Sequence, residues 1–123
     1  MDFRRCITFT TGAAVLALTF IAMPAHAISE ERSVERLSEL VSTGWAMEEQ
    51  RQSNDVHAVQ ACGDAMRVAQ AEAQELRAEI AATPGLPMNL LTAASMANRC
   101  VSCLPGAATS CDEMEEQLSQ ASE

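Results

Sequence analysis

The chain has 123 residues, 17 acidic and 8 basic, for a formal net charge of −9. So negative a molecule excludes nucleic acid and anionic membrane surfaces as favoured partners. With three Phe, one Trp and no Tyr, any core must be aliphatic.

The N-terminus reads as a cleavable secretory signal peptide over residues 1–27. Arg4 and Arg5 form a positive start, and Ile7 to Met23 form an apolar stretch interrupted only by Thr and Gly. Pro24-Ala25-His26-Ala27 then supplies a small-x-small cleavage site. The apolar run falls short of the roughly 20 residues that span a bilayer comfortably, which disfavours an uncleaved anchor. The expectation is export to the periplasm or beyond, with only transient membrane contact through the leader.

Cleavage after Ala27 leaves a single domain, 28–123, that loses all three Phe. Without Asp2, Arg4 and Arg5 it carries 16 acidic and 6 basic residues, every cation an Arg. Leu, Ile and Val make up 16 of its 96 residues, below the roughly 20% under which highly charged chains tend toward disorder. Burial of branched residues alone looks insufficient, and four cysteines in an oxidising compartment would supply staples.

The first expected helix spans about 30–51, with Ser29 as N-cap and Glu30 and Glu31 against the positive end of its dipole. Val34, Leu37, Leu40, Val41 and Met47 share a broad face with Gly44 among them, a glycine that either permits close packing or is merely tolerated. After a polar stretch, Ser53 or Asn54 could cap a second helix over about 55–82. There Val59, Cys62, Met66, Ala69, Ala73, Leu76 and Ile80 keep unbroken 3-4 spacing, the pattern of a bundle seam. Thr83-Pro84-Gly85-Leu86-Pro87 ends it and turns the chain.

A third helix over about 88–103 places Leu90, Ala94, Ala97, Val101 and Leu104 on one stripe before Pro105-Gly106. A capping box from Ser110 to Glu113 then predicts a short fourth helix over about 111–120, with Cys111, Met114 and Leu118 on one face. No strand alternation appears. The expected fold is all-α: a small antiparallel bundle of three to four helices stapled by two disulfides.

Cys62, Cys100, Cys103 and Cys111 are even in number and admit three pairings. If the second and third helices fold back about Gly85, Cys62 faces the chain near position 108, which favours Cys103 or Cys111 over Cys100 as its partner. Pairing Cys62 with Cys103 and Cys100 with Cys111 would tie the second helix to the third and pin the fourth. The C-x-x-C at 100–103 suits redox chemistry poorly, because a helix C-terminus opposes thiolate formation. Leu104 stands where covalent haem attachment needs His, and no cofactor is expected. Met96, Cys100 and Cys103 at i, i+4, i+7 form an alternative soft-metal site for copper, or zinc with four cysteines.

Among the other candidates, His57 and the Glu-rich faces (Glu30, Glu31, Glu35, Glu39; Glu113, Glu115, Glu116) read as solvated surface. Trp45, at the margin of the first helix's apolar face, reads as partly buried or as an anchor for a partner. No catalytic grouping emerges. The first expectation is a non-enzymatic adaptor, subunit or inhibitor whose partner is another protein with a basic surface. The alternatives are the soft-metal carrier and a toxin-neutralising, immunity-type protein.

Overall fold

The computed structural model describes residues 27–122; the expected leader lies outside the described residues except for Ala27. Exposed Ala27 passes directly to Ile28, whose side chain is buried and whose N–H donates to Thr83 Oγ1 at 3.2 Å. The described residues are helical without a strand: α1 (Glu30–Ala46), α2 (Glu48–Gln52), α3 (Val56–Ala81), α4 (Met88–Cys100) and α5 (Ala107–Ala121).

Cross-helix contacts fix the topology. Arg36 on α1 meets Glu79 near the end of α3, and Gln70 of α3 donates to the Asn98 carbonyl of α4 at 3.0 Å. Asn89 at the start of α4 bonds Gln120 at the end of α5 at 2.9 Å. The long helices therefore run up, down, up, down, with α4 and α5 packed most extensively. Leu37, Leu76, Leu90 and Met114 are fully buried at the centre. Ala69, Ala73, Ala93, Ala94, Ala97 and Ala107 fill the remaining interior, and their small volume lets the helices approach closely enough to seal a core short of branched residues.

Four boundaries differ from the sequence expectation, each for a local reason. The first helix breaks at Met47, whose N–H is shared between the Thr43 and Gly44 carbonyls while its side chain turns into the core. The α3 cap is Asp55, accepting from the Ala58 N–H at 3.2 Å, and Ser53 instead bonds the Asp55 N–H. α4 stops at Cys100 rather than Cys103, since Ser102 Oγ takes the Arg99 carbonyl and competes with another helical turn. α5 begins at Ala107, because Gly106 adopts the left-handed φ of 86° that turns the chain early. Ser110 lies inside this helix, buried, and not at its cap.

The α3 seam is shorter than its periodicity. Ala69, Ala73, Leu76 and Ile80 are buried, but Val59 is 54% exposed. At 26 residues α3 is about 39 Å long, whereas the 13-residue α4 reaches only about 20 Å. The N-terminal half of α3 overhangs its partners, with Cys62 its sole buried residue before Ala69.

Candidate functional site

Two regions collect the residues singled out from sequence: the end of the bundle where both disulfides lie, and the face between α1 and α5.

At the first, Cys62 is bonded to Cys103 (Cα–Cα 6.1 Å) and Cys100 to Cys111 (Cα–Cα 4.7 Å). Cys62, Cys100 and Cys111 are buried and Cys103 partly so. Because α4 has ended, Cys103 leaves the helical stripe of Met96 and Cys100 and turns toward α3, where its N–H donates to Met66 Sδ at 3.4 Å. Each cysteine of the C-x-x-C is thus bonded outside the motif. Oxidised sulfurs offer no thiolate to a metal, and among the described residues no three His, Cys, Asp or Glu side chains converge as metal ligands would.

Gly44 in the last turn of α1 lies against the Cys100–Cys111 bridge. A Cβ there would stand 2.5 Å from Cys100 Sγ, 2.6 Å from Cys111 Sγ and 2.7 Å from the Cys100 carbonyl oxygen. Of the two readings of this glycine, close packing describes the geometry.

Arg51, which sequence reasoning passed over, closes this end. Its side chain is 6% exposed and pairs with Glu48. Nε donates to the Ser102 carbonyl at 2.8 Å, and Nη2 donates to the carbonyls of Gly44 at 3.1 Å and Cys100 at 3.2 Å. The planar fork thereby gathers three carbonyls where α1 and α4 terminate, adding to the share of the Met47 N–H that Gly44 already receives. The signal in the sequence was faint: a lone cation within the polar run from Glu48 to Asp55.

The second region is a groove between antiparallel α1 and α5. It is made of two adjoining depressions open to solvent, of about 350 and 370 Å3, which share Val34 and Ser122; Val41 and Leu118 complete the apolar floor of the first. Its walls are short, formed by Ser38 and Ser42 on α1, Ser119 on α5 and Ser122 just past the end of α5. Glu30 and Glu31 stand at one end beside Ala121, and Glu115 at the other. Trp45, half-buried, donates from Nε1 to Glu115 Oε1 at 3.0 Å, which ties the lone aromatic of this region to α5.

His57 is exposed on the α3 overhang, and Met96 is half-buried on α4. Among the described carboxylates only Glu35, Glu48, Asp64 and Glu79 meet an arginine. Among the described residues no helix is long and apolar enough to cross a membrane. No family model matches the chain, and no curated protein or solved structure matches it.

Proposed function

We propose that the protein is a small, exported, disulfide-stapled module that works by protein–protein interaction in the cell envelope or outside the cell. It presents an acidic helical surface to a basic partner as an adaptor, subunit or inhibitor; neutralising a basic toxin is one form of that role. The observation that carries the reading is the uncompensated negative charge on neighbouring helices. Among the described residues no arginine pairs with Glu30, Glu31 or Glu39 on α1, or with Asp112, Glu113, Glu115 or Glu116 on α5. Exposed carboxylates with no internal partner contribute little to folding, and their field favours association with a cationic surface. The soft-metal alternative draws no support from the oxidised cysteines.

Affinity capture from the native envelope tests the proposal. The oxidised protein retains a basic partner that is released near 0.5 M salt, where exposed charges are screened to a few ångströms. Replacing Glu31, Glu39, Glu113 and Glu116 by Gln keeps the helices and abolishes capture. Retention that survives both the salt and the substitutions refutes the reading.

A further inference from the structure

We infer that the α1–α5 groove seats one cationic amphipathic helix of a partner protein, about three turns long, with cations near its two ends and small apolar residues between. This rests on the acidic-surface reading and specifies its site.

The groove's dimensions set the occupant. From Glu31 to Ser42, the last α1 residue that lines it, the groove runs 11 residues along α1, or about 17 Å. Its exposed floor is Val34 with the edges of Val41 and Leu118, too shallow to enclose a small molecule but continuous along the helix axes. Serines on both walls leave room for a third helix to approach closely. The backbone groups of α1 and α5 are consumed within the helices, so the groove offers no edge for an added strand. A helix brings its own satisfied backbone and lays an apolar stripe on the floor.

Charge selects the sequence of that helix. Carboxylates stand at both ends, Glu30 and Glu31 at one and Glu115 at the other, while the middle is uncharged. A partner with cations on one face about 11 residues apart, three helical turns, meets both ends with apolar contact between. A second copy of this chain would oppose the same carboxylates to themselves, and anionic lipid or nucleic acid would be repelled. At the Glu115 end an arriving guanidinium also lies within reach of the Trp45 indole, whose Nε1 is already 3.0 Å from the Glu115 carboxylate. Since the chain has a single Trp, its emission reports docking directly.

The test titrates the oxidised protein, expressed from the full chain, with two helical peptides of identical composition while following Trp45 fluorescence. One has Arg pairs about 11 residues apart with Ala and Leu between them; the other has all its Arg clustered at one end. The spaced peptide is expected to bind about tenfold more tightly and to shift the emission. Ser38→Gln with Ser119→Gln, at exposed positions that leave the bundle intact, should remove that preference, while Glu72→Gln with Glu75→Gln on α3 should change affinity less than about twofold. Equal affinity for both peptides, or indifference to the serine substitutions, overturns the groove assignment and leaves the acidic-surface reading in place. If neither peptide binds at about millimolar concentration, both readings are overturned.

Discussion

Gly44→Ala asks the structure to accept one methyl group where three atoms already stand. The new Cβ would lie 2.5 and 2.6 Å from the two bridge sulfurs and 2.7 Å from the Cys100 carbonyl oxygen. Ordinary contact would require each to recede by roughly an ångström, and none can do so alone, because two are joined in a covalent bridge and the third is backbone. Overpacking of this kind costs about 1–3 kcal/mol, and the rigidity of the neighbours places this case near the upper end. Alanine returns about 1 kcal/mol of helix propensity, for a net loss of about 2 kcal/mol. In a domain of this size that lowers Tm by roughly 10 °C. The assay is thermal and urea unfolding of the oxidised protein, followed by circular dichroism, beside Gly63→Ala. Gly63 also lies within a helix, but a Cβ there meets nothing within 4 Å, so that variant should gain about 0.5–1 kcal/mol. Combining Gly44→Ala with Cys100→Ala and Cys111→Ala should shrink the penalty, because two of the three obstructing atoms are gone. A Gly44→Ala protein as stable as the parent refutes the close approach of α1 to the bridge.

Two further predictions concern the same end of the bundle. Arg51→Met leaves the Gly44, Cys100 and Ser102 carbonyls without their shared donor and should cost about 3 kcal/mol in urea unfolding. Arg51→Lys should recover less than half, since an ammonium cannot span the fork; a loss below about 0.5 kcal/mol for Arg51→Met would count against this arrangement. Replacing Cys62 and Cys103 together by Ala opens a closure with a sequence separation of 41, worth about 4 kcal/mol in loop entropy. Amide exchange should then rise mainly in the N-terminal half of α3, where Cys62 is the buried anchor, and a uniform rise along the chain would contradict that assignment.

The elements most legible in the sequence were those set by local chemistry. Ser29 as a cap, the Pro84-Gly85 turn and the 3-4 spacing of Ala69, Ala73, Leu76 and Ile80 need no tertiary information. Periodicity names a face without revealing how far the partner helix reaches, which is why Val59 belongs to the pattern and yet lies in solvent. Counting branched residues made the core look thin because it gave no weight to alanine, which here permits close approach. The end of α4 depended on Ser102 and on Arg51, 49 residues before Cys100, a distance that no local signal spans. The serines of the groove were equally opaque, because Ser38 and Ser42 look like ordinary surface until Ser119 and Ser122 join them in lining one groove.

The connectivity of the bridges bears on how the molecule is made. In an unfolded chain, contact between two thiols falls with the length of chain between them. The shortest closures available, Cys100 with Cys103 and Cys103 with Cys111, are both absent from the native pair set. Oxidation that outruns helix docking therefore captures the wrong partners, and escape requires thiol–disulfide exchange over seconds to hours. Packing of α4 between α3 and α5 must precede the covalent step for assembly to be efficient. The yield of natively paired protein should depend on a disulfide isomerase more than on the supply of oxidant.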